Sequence, residues 1–227
     1  MTFSWRDRST RARSQRPRTL KRSATDPRLT AALATIPRQL FVTSAAAQRD
    51  EGSGLAEVPH PELVALMLGP LELRGSERVL EVGTSPGYQT AILSQLARDV
   101  YSIGSTTARL KATEAALSQL AIGNVRSMVG DGRGGWPGAA PFDAIVVSAG
   151  VSALPMALVN QLGDGGRLVI PMGDASRQLV IRYRRRGTSL DSETLGSCLL
   201  APLSGEQDGH GSCPWLAAVK LPSSDVE

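Results

Sequence analysis

RVLEVGTSPGYQTAIL, residues 78–93, changes character in its middle, and that change sets the fold. Residues 78–82 (RVLEV) are a short β-type run that stops at Gly83, whereas 88–96 (YQTAILSQL) reads as a helix. Between them lies the loop Gly83-Thr84-Ser85-Pro86-Gly87. Strand, glycine loop and helix together make the start of a βαβ unit. There the glycines let the backbone approach a ligand, and the helix N-terminus supplies free N–H groups and positive potential.

The segments that follow repeat the alternation. Short strands are expected at 100–103 (VYSI), 125–129, 142–148 (FDAIVVS), 166–171 (GRLVIP), 179–184 and, as a seventh, 195–200, with helices at 109–120 and 154–162. Strands alternating with helices of this length predict an α/β fold: a Rossmann-like, doubly wound, mostly parallel sheet with helices on both faces. Before residue 78, Thr25-Asp26-Pro27 is a capping sequence for a helix carrying Leu29, Leu33 and Ile36, which Pro37 ends. Residues 48–54 are polar and glycine-rich, a loop, and a second helix starts near Pro61 with Leu63, Val64, Met67 and Leu68 on one face.

The 227 residues, 41% hydrophobic and 20% charged, suffice for one well-buried domain with tails. The net charge of +4 is unevenly spread: residues 1–23 carry eight Lys or Arg against Asp7 alone, so the remainder is mildly acidic. The expected organisation is a disordered basic tail (1–23), a domain (24–204) and a C-terminal extension (205–227) in which 214–221 offers one more edge strand or a surface segment. The tail suits a solubilising extension or weak contact with nucleic acid. No stretch is apolar enough to span a bilayer, and a monomer in the cytoplasm is expected. Cys198 and Cys213 are expected as free thiols, and no metal site is expected.

Several segments together carry a resemblance: IPRQLFV (36–42), PELVALM (61–67), RVLEVGTSPGYQTAIL (78–93), VYSI, GDGRGGWP (130–137), PFDAIVVSAG (141–150) and LPMALVNQLGDGGRLVIPMG (154–173). In this order and spacing they resemble protein-L-isoaspartate O-methyltransferases over residues 26–203, most of the chain. The resemblance implies a class I methyltransferase fold, S-adenosyl-L-methionine as cofactor, and damaged proteins or peptides carrying isoaspartyl residues as partners. The reaction it implies is methylation of the free α-carboxylate, which is already ionised and needs no general base; holding the reactants in line and excluding water is the enzyme's main task. It further implies that Glu81, Gly83, Thr84, Ser85, Gly87, Tyr88, Gly104, Asp131 and Gly132 stand in the cofactor segments.

Three segments depart from the family pattern. Ser85 and Pro86 replace the glycine and serine of a GTGSGY loop, adding a Cβ and removing an N–H, although a first helical turn tolerates proline. Gly104 stands where the second strand normally ends in an acid that takes both ribose hydroxyls, and Ser105, Thr106 and Thr107 offer only neutral hydroxyls. Pro59 stands where a serine hydroxyl meets the substrate carboxylate; His60, one residue on, is the candidate donor in its place, and Glu57 would repel an anion. Asp131 also suits a turn between glycines and Tyr88 a core aromatic. The readings are therefore an isoaspartyl repair methyltransferase, a non-catalytic relative used as a binding module, and a peptide-maturation carboxyl methyltransferase.

Overall fold

The computed structural model describes residues 26–46, 58–84 and 86–203; the basic tail, Glu57, Ser85, Cys213 and the C-terminal extension lie outside them. In chain order the elements are α1 (Pro27–Thr35), α2 (Arg38–Ala46), α3 (Pro61–Leu68), β1 (Arg78–Val82), α4 (Tyr88–Leu96), β2 (Asp99–Gly104), α5 (Thr107–Gln119), β3 (Val125–Val129), β4 (Phe142–Val147), α6 (Met156–Asn160), β5 (Leu162–Gly173), β6 (Gln178–Arg186) and β7 (Ser189–Cys198). The strands form one sheet in the order β3-β2-β1-β4-β5-β6-β7. Neighbours from β3 to β5 pair in parallel, while β5–β6 and β6–β7 are antiparallel.

Central strands are apolar on both sides because both faces are covered. Successive residues alternate between two cores. Val79, Ala144, Val146 and Val169 join the core built with Leu29, Leu63, Ile92 and Leu117 from α1, α3, α4 and α5. Leu80, Val82, Ile145, Val147 and Leu168 join the other, with Leu158 and Val159 of α6. Between β3 and β4 the chain makes only 3₁₀ turns, Gly132–Gly134 and Pro137–Ala139.

Four boundaries differ from the sequence expectation. Pro37 does end α1, with Ile36 extended before it, but the chain re-enters a helix at once, so 36–42 is a helix–proline–helix corner. The helix expected at 154–162 shrinks to α6, because Leu162 already pairs with Phe142 at the start of β5. Strand β6 is longer than expected, and β7 begins at Ser189 instead of residue 195, the two making a hairpin that turns at Gly187 (φ 56°). Pro86 precedes the N-cap, Gly87, and so lies before the first turn of α4.

Entry into β1 depends on Glu77. Its Oε2 accepts the backbone N–H groups of Arg74 (2.9 Å), Gly75 (2.8 Å) and Ser76 (3.0 Å), and the residue is 7% exposed. Burial works against the charge, yet the backbone hydrogen bonds outweigh it and hold the carboxyl below its ordinary 4.5. Glu77→Ala is expected to cost about 2 kcal/mol at neutral pH. The folded value is depressed, so this stabilisation is present above the unfolded pKa and lost as pH falls through the folded one. Chemical denaturation at neutral and acid pH checks it: a difference from the parent that does not shrink on acidification would contradict the assignment.

No helix among the described residues is long and apolar enough to cross a membrane. Cys198 is a buried free thiol whose pKa burial pushes up to about 12, which makes it inert at neutral pH.

Candidate active site

The chain runs outward from β1 through β2 to β3, then returns to place β4 on the other side of β1. This reversal opens a crevice beyond the carboxyl ends of β1 and β4, the place where open α/β sheets bind ligands. Gly83-Thr84, Gly130-Asp131 and Ser148 follow directly from the ends of β1, β3 and β4, and Gly104 is the last residue of β2. The loop is fastened to its neighbours: the N–H groups of Gly83 and Thr84 both donate to the Ile103 carbonyl (3.0 and 3.1 Å), and Ser148 N–H donates to Val82 (2.8 Å).

Gly83 (φ 89°) and Gly87 (φ 90°) turn the chain through a conformation that L side chains rarely adopt. At Gly87 a Cβ would also meet Cγ2 of Thr113 on α5 at 2.7 Å. The first bond within α4 runs from Ala91 N–H to the Gly87 carbonyl (2.9 Å), so the N–H groups of the preceding turn have no acceptor within the helix. These features fit a nucleoside-bearing cofactor laid over the loop.

Beneath the loop sits Glu81, 1% exposed. Its carboxylate accepts from Gln89 Nε2 (3.1 Å), Thr90 Oγ1 (2.6 Å) and Ser102 Oγ (2.8 Å). Ser102 is also hydrogen-bonded to the buried Thr84 hydroxyl, and Gln89 Nε2 donates to Ser148 Oγ (2.6 Å). Burial pushes the Glu81 carboxyl up despite these donors. Glu81 thus ties β1, α4 and β2 together, and its side chain is spent on protein partners.

The Tyr88 ring is likewise inward: it is 1% exposed and packs on Phe41 of α2 with centroids 5.8 Å apart. Of the two readings open for Tyr88, its side chain takes the core one. Asp131 caps the turn Gly132–Gly134, accepting from Arg133 N–H (3.0 Å) and pairing with Arg133 Nη2 (2.9 Å), whose hydrogen bonds hold the carboxyl below its ordinary value. Gly132 is buried against β1, where a Cβ would lie 2.2 Å from Val82 Cγ1. Gln161 braces the same loop, accepting from Trp136 N–H (2.7 Å) and donating to the Gly134 carbonyl (2.7 Å). At Gly104 the atoms nearest a would-be Cβ are those of Thr84 and Leu110, at 3.6 Å or more, so a Cβ is accommodated without a clash.

On the other side of the loop, His60 is the N-cap residue of α3 and makes no capping bond with its side chain. That side chain is 66% exposed, with Nδ1 3.9 Å from Glu62 Oε2. Arg38, the first residue of α2, reaches across to this segment: Nε donates to the Pro59 carbonyl (3.4 Å) and Nη2 to that of Val58. Arg38, Gln89, Ser102 and Gln161 had not been singled out from the sequence. Ser102 within an otherwise buried strand, and Gln89-Thr90 in a helix buried nearly all round, were the signals that polar groups here must be paired internally.

A seven-stranded, mostly parallel sheet with flanking helices and a glycine loop at the reversal is the architecture of class I S-adenosylmethionine-dependent methyltransferases. A solved protein-L-isoaspartate O-methyltransferase superposes with a TM-score of 0.72 at 27% identity, covering 82% of this chain, which spans 64% of that one's length. A protein from Plasmodium falciparum described by the same enzyme name, crystallised with S-adenosyl-L-homocysteine, gives 0.68 at 20% identity over 82% of this chain and 94% of its own. In sequence, the protein-L-isoaspartate O-methyltransferase of Trichlorobacter lovleyi is 44% identical over 82% of this chain and 89% of its own. That of Syntrophus aciditrophicus is 39% identical over 84% and 91%. Residues 16–208 match the family model of protein-L-isoaspartate(D-aspartate) O-methyltransferase. The chain belongs to that family.

Proposed function

We propose that this chain is an S-adenosyl-L-methionine-dependent carboxyl O-methyltransferase that methylates the free α-carboxylate of isoaspartyl residues in damaged proteins and peptides. The observation that carries the reading is the loop from Gly83 to Gly87, set by two positive-φ glycines at the reversal of strand order in a chain of this family. When bound, the cofactor would supply a methyl group on a sulfonium, activated for transfer to a carboxylate oxygen.

The protein's own part is to bind and align. Gly83, Thr84, Ser85, Gly87 and the backbone at Tyr88 form the floor of the cofactor site, held from below by Glu81. Gly104 marks the ribose end, and Asp131 with Gly132 the adenine end. His60 and the segment before it belong to the substrate side. No residue need take a proton, because the nucleophile is already ionised; alignment and the exclusion of water account for the rate. The domain is taken as residues 24–204, acting as a monomer in the cytoplasm, with weak nucleic-acid contact assigned to the basic tail.

The expected result is heat on titration with S-adenosyl-L-homocysteine, with a dissociation constant in the micromolar range, and methyl transfer to an isoaspartyl peptide but not to its normal-aspartyl counterpart. A second reading, a binding module without catalysis, draws on Gly104 in place of an acid and on Pro59. Silence in calorimetry up to millimolar ligand would establish that reading against the first. Binding without transfer to any isoaspartyl peptide would point to one dedicated peptide substrate.

A further inference from the structure

The substrate side of the site presents a chemical gap. Pro59 offers neither hydroxyl nor N–H, and the His60 side chain, two-thirds exposed, lies nearest Glu62. A carboxylate leaving water for this cleft needs a donor, since burying it unpaired is costly. The cation placed there is Arg38. It is half-buried at the start of α2, with Nε and Nη2 turned to the carbonyls of Pro59 and Val58. Val58 is 4% exposed and Phe41, one turn along α2, is fully buried, so both ends of this clasp are anchored in the core. Phe41 packs on Tyr88, the residue immediately after Gly87, which brings α2 to the glycine loop. Burial raises the Tyr88 pKa and the charge of Arg38 opposes that rise. Arg38 therefore holds the segment before α3 from a helix that packs, through Phe41, on the residue following the glycine loop. A guanidinium is a rigid fork of five donors, and Nη1 makes no hydrogen bond among the described residues.

We propose that Arg38 is the carboxylate-binding residue of this site: two of its nitrogens hold the 58–59 backbone in place, and Nη1 donates to one oxygen of the substrate α-carboxylate, leaving the other to accept the methyl group. This deepens the methyltransferase reading above and rests on it.

The test is binding of an isoaspartyl peptide, and of the same peptide with its α-carboxylate replaced by a carboxamide, to the full chain saturated with S-adenosyl-L-homocysteine. The parent protein is expected to prefer the carboxylate by about tenfold or more, the contribution of one charge-assisted hydrogen bond. Arg38→Gln is expected to abolish that preference while S-adenosyl-L-homocysteine affinity stays within about twofold. A role confined to clasping the segment would weaken both peptides alike and keep the preference, and that outcome overturns the assignment. If Arg38→Gln does not fold, Arg38→Lys decides. An ammonium that must serve two carbonyls leaves no fork edge for substrate, so the preference is expected to fall, and its full retention overturns the assignment. A parent that binds both peptides equally refutes the role of Arg38 alone. A parent that binds neither refutes the functional reading with it.

Discussion

Alanine at Gly132 is expected to destabilise the domain by about 3 kcal/mol, near the upper end of what overpacking a core costs. The added carbon would stand 2.2 Å from Cγ1 of Val82 and 3.5 Å from Leu203 Cδ1. Val82 cannot step aside. It is a β-branched residue on the strand flanked by β2 and β4, fully buried and stiff at χ1. Either β1 or the turn that Asp131 caps must therefore shift. Gly134, two residues on, has nothing within 4 Å of its would-be Cβ, so Gly134→Ala is the control and is expected to stay within about 0.5 kcal/mol. Denaturant midpoints with unchanged slopes measure both. Equal costs at the two positions would show that the close approach at Gly132 is relieved cheaply.

Gly104→Glu is expected to act in the opposite direction, tightening S-adenosyl-L-homocysteine binding about tenfold by returning a charged acceptor for the ribose hydroxyls. The backbone permits it: Gly104 is not among the positive-φ glycines, and its would-be Cβ makes only ordinary contacts with Thr84 and Leu110. Gly104→Gln fills the same volume without the charge and is expected to recover only part of the gain. Calorimetry separates the two. Unchanged affinity in the Glu variant would mean that the ribose is held elsewhere, and Gly104 would leave the list of cofactor positions.

The central strands of the parallel part of the sheet were legible because their residues are buried on both faces, so the runs in β1 and β4 stand out whatever surrounds them. The hairpin β6–β7 was harder to place. IRYRRRG and SLDSET carry arginines and acids whose role is cross-strand pairing, as between Arg182 and Glu193 (2.6 Å) and between Arg186 and Asp191 (2.7 Å), and such strands lack an apolar signature. Helix α2 was hidden by Pro37, which marks a break but does not say that a new helix follows. In the site, the glycine loop could be read from its residue types, since only particular residues tolerate its turn. The Glu81 network could not, because its partners lie 8, 9 and 21 residues away and meet only once the sheet forms. Arg38 was illegible for the same reason: its acceptors are main-chain carbonyls, which carry no residue identity.

The last described residues return to the segment that follows β4 and to the start of β6. Gly150 N–H donates to Ala201 and its carbonyl accepts from Leu203, while Gln178 clasps Leu200 through both its N–H (2.9 Å) and its carbonyl (2.8 Å). Leu203 thereby joins the core containing Val82, close to Gly132. During synthesis, then, Gly132 and Gly150 emerge well before the segment that packs against them. A nascent chain halted on the ribosome ahead of residue 200 carries every strand of the sheet and still lacks these contacts, so the packing around Gly132 and Gly150 is completed late in the life of each molecule.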